Sequence, residues 1–234
     1  MTNVAVFGAS GFVGRSLSVA LASKKYKVVP VTRENYSQHI GKKYDVVINA
    51  AHPAARFWAN KNPDLDFKET VQKTADIFYK CSFKKFVQIS SVSARCQLDT
   101  VYGRHKLAAE SICNSGDNSI IRLSSMFGKD LKKGVLINML KGEKVFISGD
   151  SRYAFASMDF VVDHIASHLD SKGVVEVGAF NSVSMIDIAK HLNAKIEFEG
   201  DVDVQEIENP GSNFPDAKEV FLYLDKMKQS ISKL

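Results

Sequence analysis

Tyr102 and Lys106 stand four residues apart in "YGRHK", a spacing that puts both side chains on one face of a helix. Such a pair can move a proton. A free tyrosine titrates at about 10 and is a poor acid or base at neutral pH. A lysine ammonium beside it favours the phenolate and is expected to lower that value. Upstream, "FVQIS" reads as a strand that ends at Ser90-Ser91. Open α/β sheets place their chemistry at strand C-termini. A serine hydroxyl there is positioned to hold a substrate oxygen while Tyr102 shuttles the proton. Y-x-x-x-K by itself occurs on many helices, so its meaning depends on its surroundings.

Gly8, Gly11 and Gly14 in "VFGASGFVG" fall three apart, directly after the apolar run "NVAVF". Glycines between a strand and a helix let backbone N–H groups approach a ligand with no Cβ in the way. The helix N-terminus adds unpaired donors and a positive dipole end, which suit a pyrophosphate. The spacing G-x-x-G-x-x-G is a variant of the dinucleotide fingerprint.

The elements that must hold these groups alternate. "NVAVFG" reads as a buried strand and residues 14–23 as a helix with apolar positions 17, 20 and 21. Further strands are expected at 27–32, 44–51, 85–91 and 119–125, and helices at 64–81 and 102–114. This is an α/β pattern, a Rossmann doubly wound parallel sheet with right-handed crossovers. Only about a dozen residues separate the second strand from "DVVINAA", too few for a crossover helix and an extra strand. That edge of the sheet is expected to be trimmed. Beyond Gly128 the pattern loosens. Helices are expected at 134–142, 158–170, 184–194 and 215–231, a strand at 173–179, strand character in "KVFISG" and a strand pair in "KIEFEGDVDVQEI". The expected organisation is a dinucleotide-binding domain over 1–128, with part of 153–180 returning to it. A small C-terminal substrate lobe would be built from 129–152 and 181–234.

The chain has 234 residues, enough for one good core carrying a small lobe. Its net charge of +5 comes from scattered lysines rather than a basic stripe, which argues against nucleic acid as a partner. Cys81, Cys96 and Cys113 have no C-x-x-C spacing and read as reduced thiols, with no metal site. No apolar run approaches the roughly 20 residues of a membrane span, and the N-terminus lacks the pattern of a signal peptide. A cytoplasmic protein with no membrane partner is expected.

Together, the glycine turn, the strand ending "NAA", the strand ending "SS" and the Tyr–Lys helix resemble the short-chain dehydrogenase/reductase superfamily. More narrowly, they resemble its extended branch of nucleotide-sugar epimerases, dehydratases and ketoreductases. The resemblance implies that Gly8, Gly11 and Gly14, with Ser10, Phe12 and Val13 between them, hold the cofactor. Asn49-Ala50-Ala51 matches the segment that passes the cofactor riboses, with Ala50 and Ala51 as contacts. Ser91 matches the catalytic Ser/Thr, with Ser90 beside it as the alternative register and a cofactor contact. Tyr102 and Lys106 match the catalytic pair, and also touch the cofactor. "IIRLSSMFG" resembles the strand and loop beside the nicotinamide, with Leu123 as a contact. In "SRYAFASMDFVVDHI", Arg152 matches an arginine that reaches a substrate diphosphate in sugar-nucleotide members. A homodimer through the helices at 64–81 and 102–114 is usual in the family.

The departures carry information. Where the family's acid would grip the adenosine ribose, this chain has Thr32 followed by Arg33. A planar guanidinium suits a 2′-phosphate, so NADP is the expected cofactor, with NAD as second choice. Glu34 follows directly and can pair with Arg33 or face the ribose. Thr70 stands where the family has a helix asparagine. Ser91 is followed by Val92-Ser93 rather than Asp-Glu, which disfavours 4,6-dehydration. His164 and His168 read as a helix face, His105 as a solvent- or lobe-facing residue, and Asp159 as a helix cap. His52 and Trp58 lie where they could touch cofactor or substrate, and Cys96 lies near the site without a nucleophile's setting. The leading expectation is an NADP(H)-dependent reductase of a keto group on a nucleoside-diphosphate sugar. The alternatives are an NAD-dependent nucleotide-sugar epimerase and a non-catalytic dinucleotide sensor or scaffold.

Overall fold

The structure is a computed structural model, and it describes residues 1–231, with side chains through residue 230. In chain order the elements are β1 (Asn3–Phe7), α1 (Phe12–Ser23), β2 (Lys27–Val31), α2 (Tyr36–His39), β3 (Val46–Asn49), α3 (Arg56–Lys61) and α4 (Pro63–Phe67). A π-helical turn over Lys68–Gln72 leads into α5 (Lys73–Lys80). Then come β4 (Lys85–Ser91), α6 (Ser93–Cys96), α7 (Val101–Cys113), β5 (Ser119–Leu123), β6 (Met126–Phe127), α8 (Val135–Leu140), β7 (Arg152–Tyr153) and β8 (Ala156–Ser157). The chain closes with α9 (Met158–Ser167), β9 (Gly173–Val177), β10 (Val183–Ser184), α10 (Met185–Leu192), β11 (Val204–Gln205) and α11 (Glu219–Ile231).

The chain divides into two compact units. The first comprises Met1–Leu123 with Val162–Glu176, and the second Ser124–Val161 with the chain from Val177 onward. The first unit holds a six-stranded sheet in the order β2-β1-β3-β4-β5-β9. The strands from β2 through β5 in that order pair in parallel. Val4–Phe7 of β1 and all of β3 are buried, as central strands of a parallel sheet are, and Phe7, Val31, Val47, Ile77, Phe86 and Ile120 pack together in one cluster. The sheet edge is trimmed as its short connection dictates. Only the four-residue α2 lies between β2 and β3, and β2 is the edge strand. Pro30 sits inside that edge strand, in register with Val6, and its carbonyl accepts a hydrogen bond from Asn35 at 3.1 Å.

The second unit has its own core, including Tyr153, Phe155, Met185, Leu192 and Leu224. Its sheets are small: β10-β7-β11 and β6-β8. Several sequence expectations change here. "KVFISG" forms no strand and makes only the isolated bridge Val145↔Phe198. The expected strand pair at 195–207 reduces to β11, and Gly200 at φ +120 breaks the extended run. The last helix begins at Glu219. Asp216 precedes it and accepts the Lys218 N–H at 2.9 Å. No described helix is long and apolar enough to cross a membrane.

Candidate active site

The glycine turn is built by close packing. Gly8 has φ +84, and a Cβ there would lie 2.5 Å from the Ala50 carbonyl oxygen. A Cβ on Gly14 would lie 2.2 Å from the Gly8 oxygen. These two glycines therefore serve the fold, seating α1 against β1 and β3. Gly11 differs. A Cβ there would meet one atom, the Gly8 oxygen at 3.2 Å. Gly11 is the N-cap of α1, whose first turn has no side-chain cap and no acidic residue. The opening of α1 thus offers backbone donors with no protein carboxylate competing for them. A dinucleotide pyrophosphate fits that setting, with Ser10, Gly11, Phe12 and Val13 around it. Ala50 lies against this turn, and its N–H donates to the Phe7 carbonyl at 2.9 Å.

At the end of β2, the Thr32 hydroxyl donates to Glu34, and the Thr32 N–H donates to Asn35 at 2.7 Å. The Thr32 hydroxyl holds the Glu34 carboxyl below its ordinary range, with a smaller contribution from Arg33. Both readings of this corner now have a group in place: the Arg33 guanidinium for a 2′-phosphate, and a charged Glu34 for bare hydroxyls.

Ser90 and Ser91 face different partners, as successive residues of a strand must. The Ser90 hydroxyl donates to Glu110 at 2.5 Å. Ser91 meets Tyr102 through a hydrogen bond and accepts the Ser93 N–H at 3.2 Å. Leu123, buried at the end of β5, accepts the Val92 N–H through its carbonyl at 3.1 Å. The helix that presents Tyr102 is fixed at its start by Thr100, whose hydroxyl accepts the Gly103 N–H at 3.0 Å. Gly103 lets α7 press onto α6, since a Cβ there would fall 2.0 Å from the Gln97 carbonyl oxygen.

Tyr102 and Lys106 are brought together as their spacing requires, with the Lys106 Nζ 5.1 Å from the Tyr102 ring centroid. Their electrostatics reverse the expectation. Both side chains are buried, Tyr102 to 7% and Lys106 to 4% exposure. Burial disfavours whichever form is charged. It pushes Tyr102 up to about 12 against the opposing Ser91 hydrogen bond and Arg56 charge. It pulls Lys106 down to about 7, opposed by Asp66 and Glu110. Tyr102 is accordingly a protonated phenol at neutral pH in the cofactor-free chain.

A polar cluster lies beneath. Asn49 is fully buried at the end of β3, and its Oδ1 accepts the Ala51 N–H at 3.2 Å. Its Nδ2 then faces Gln88 Oε1 and Thr74 Oγ1, each at 3.1 Å, and His52 Nε2 at 2.9 Å. His52 is thereby engaged with the protein, and burial keeps it neutral, well below its usual range. Thr70 sits in the π-helical turn with its hydroxyl buried and without a hydrogen-bond partner.

Other candidates fall elsewhere. Trp58 lies in α3, and its carbonyl accepts the Asn62 amide at 3.0 Å. His164 and His168 stack at 4.3 Å along α9. Ser157 accepts the Phe160 N–H at 3.2 Å and so caps α9, while Asp159 is an acid of its first turn. Cys96 is exposed. His105 is partly buried. Its Nδ1 lies 2.7 Å from the buried carboxylate of Asp66, a pairing with no sequence signal because the two stand 39 positions apart. Arg152 belongs to the second unit. Its Nε and Nη2 each donate to Ser182 at 3.0 Å, and Glu206 lies 3.6 Å away. Arg152, Phe180, Asn181, Glu206 and Lys218 line a cleft of about 450 Å³ there.

A parallel sheet with a glycine turn after its first strand, and a serine, tyrosine and lysine gathered after its fourth, defines the class as a dinucleotide-binding α/β enzyme fold. The chain belongs to the NAD dependent epimerase/dehydratase family, whose model matches residues 4–178. It is an NAD(P)-dependent enzyme of the short-chain dehydrogenase/reductase type. Among solved structures it is similar to MoeE5 in complex with UDP-glucose and NAD, with TM-score 0.80, 16% identity, and 98% of this chain and 99% of that one covered. It is also similar to a UDP-galactose 4-epimerase, with TM-score 0.76, 20% identity, and 97% and 99% covered. A third is dTDP-4-dehydrorhamnose reductase from Bacillus anthracis in complex with NADP, with TM-score 0.74, 16% identity, and 97% and 99% covered. At these identities the likeness is one of fold. No curated protein matches the chain in sequence.

Proposed function

We propose that the protein is an NADP(H)-dependent reductase that converts a keto group, on a nucleoside-diphosphate sugar, to an alcohol. The observation that carries this reading is the buried Tyr102 hydroxyl, hydrogen-bonded to Ser91 and held protonated. A reductase needs an acid at that point, and a reduced nicotinamide, being uncharged, adds no cation to strip its proton. A bound nicotinamide supplies hydride to the carbonyl carbon. Ser91 holds the carbonyl oxygen by its hydroxyl, and Tyr102 gives that oxygen its proton. Lys106, beside the ring, stabilises the phenolate that remains. Ser10, Gly11, Phe12 and Val13 hold the pyrophosphate, and Arg33 holds a 2′-phosphate. Ala50, Ala51, Ser90 (through its backbone, its hydroxyl being taken) and Leu123 lie along the rest of the dinucleotide. Arg152 holds the substrate diphosphate.

Replacing Tyr102 by Phe keeps the ring and removes the proton. NADPH should still bind while turnover falls about 10²–10⁴-fold, the usual worth of a positioned acid. Undiminished turnover in Tyr102→Phe overturns the reading.

A second reading is favoured by Glu34. Held charged at the end of β2 by Thr32, it is placed to accept from bare ribose hydroxyls, which suits NAD and an epimerase that returns its hydride. Net consumption of cofactor separates the two: a reductase oxidises one NADPH per product, an epimerase none.

A further inference from the structure

His52 belongs to none of the motifs. It stands three positions past Asn49, the last residue of β3. The backbone of this loop presses on the glycine turn: a Cβ on Gly8 would fall 2.5 Å from the Ala50 oxygen and 2.7 Å from the Ala51 nitrogen. Open parallel sheets bind their ligands beyond the carboxyl ends of their strands, and His52 is partly buried there. Its ring meets side chains from β3, β4 and α5. Nε2 lies 2.9 Å from Asn49 Nδ2, 3.0 Å from Thr74 Oγ1 and 3.1 Å from Gln88 Nε2.

Which ring nitrogen holds the proton follows from one backbone group. The Ala51 N–H donates to Asn49 Oδ1 at 3.2 Å, so the amide nitrogen of Asn49 is the end turned to the cluster. That nitrogen donates to Gln88 Oε1 at 3.1 Å, so the amide nitrogen of Gln88 is the end turned to His52. The Thr74 hydroxyl gives its proton to the Thr70 carbonyl at 2.7 Å. Two amide donors therefore converge on Nε2, and a proton there would oppose both. The ring is neutral, since burial and the charges of Lys106 and Lys73 hold it well below its usual range. Its single proton then belongs on Nδ1. Among the described residues only Gln88 Nε2, itself a donor, comes within reach of Nδ1, at 3.4 Å. A part-buried N–H without an acceptor is costly. We propose that His52 carries its proton on Nδ1 and donates it to an oxygen of the bound dinucleotide.

This contact rests on the cofactor binding proposed above and adds a residue to it. Asn49, Gln88 and Thr74 do not touch the ligand in this arrangement. They turn the ring and decide which nitrogen is left to donate, as partners behind a histidine do elsewhere. An uncharged donor discriminates little between ligands that differ only in charge. His52 therefore grips an oxygen common to NADPH and NADH, whereas Arg33 and Glu34, at the end of β2, carry the charges that choose between them.

The test reads the ring nitrogens by NMR in the full-length chain carrying ¹⁵N-labelled histidine, at neutral pH, with the His52 ring assigned through its bonds to the backbone. Without cofactor, Nδ1 should show the shift of a protonated ring nitrogen and Nε2 that of a bare one. Saturating NADPH should move the Nδ1–H signal and leave Nε2 bare. His52→Phe should weaken NADPH and NADH alike by roughly 2- to 13-fold, the worth of one neutral hydrogen bond. A proton on Nε2, or a ring exchanging between both tautomers, overturns the proposal, and so does an Nδ1–H signal that saturating NADPH leaves in place. Should His52→Phe not fold, the wild-type spectra decide alone. Titrating the wild type with both cofactors keeps the two readings apart. If neither binds, the proposed function fails and the contact fails with it. If NADPH binds and the Nδ1–H signal does not respond, the contact alone fails.

Discussion

Lys106 and Arg152 are two of the cations that the family resemblance singles out, and their surroundings are opposite. Lys106 is sealed in the first unit at 4% exposure, with its amine pulled down to about 7. Arg152 is half-exposed in the second unit, held by Ser182 and facing Glu206. A lysine can be tuned by burial because its pKa moves, whereas a guanidinium stays charged wherever it lies. The contrast teaches a division of labour. On the proposed function, the buried cation sits where a proton must be managed, and the exposed one meets a charge that must be caught from water.

The contrast would break most sharply at Lys106. Lys106→Met should abolish turnover to the limit of detection. The same variant should change how stability depends on pH. A lysine whose folded pKa is depressed binds fewer protons folded than unfolded between about 7 and its ordinary value. The wild type should therefore gain stability as pH rises from 7 toward 10, with a slope of at most about 1.4 kcal/mol per pH unit. Lys106→Met should lose that slope in thermal or urea melts. A slope that survives the substitution would mean that another group is responsible.

Arg152→Ala probes the exposed side. It should weaken binding of a nucleoside diphosphate by roughly 10- to 150-fold, the range for a charge-assisted contact to phosphate, and leave NADPH affinity unchanged. Calorimetry at two salt concentrations sharpens the point, because an exposed ionic contact is screened by salt. A loss confined to the dinucleotide would place Arg152 in the wrong site. The smallest expected effect lies at Glu34. Glu34→Gln removes an exposed carboxylate beside Arg33 and should shift preference from NADH toward NADPH by several-fold, in the direction that lifting a like-charge repulsion dictates. Paired titrations of both cofactors read it, and an unchanged ratio removes Glu34 from cofactor choice.

What could be read in the residues divides along the same lines. Gly8 and Gly14 answer local demands of a strand–turn–helix, so their spacing announced the turn, and Tyr102 with Lys106 followed from helical geometry. The trimmed sheet edge was legible in chain length alone. The sign of the Tyr102 shift was not, because burial is a property of everything packed around α7. Asp66 and His105 meet only once α4 lies on α7. "KVFISG" and 195–207 alternate like strands, but alternation reports which side is buried and cannot supply a partner. Residues 64–81 read as one helix. The π-helical turn at Lys68–Gln72 interrupts it, and periodicity over so few residues cannot show one added position.

Pro30 has a consequence for how copies of the molecule behave in a crowded solution. A sheet that ends early exposes the flank of β2, and a bare flank is a template for strands of other molecules. Pro30 has no N–H to offer such a strand, and Asn35 has already claimed its carbonyl. The shortened side of the sheet is thus closed to growth at its middle, and the economy of dropping the outer strands does not open a route to fibrils.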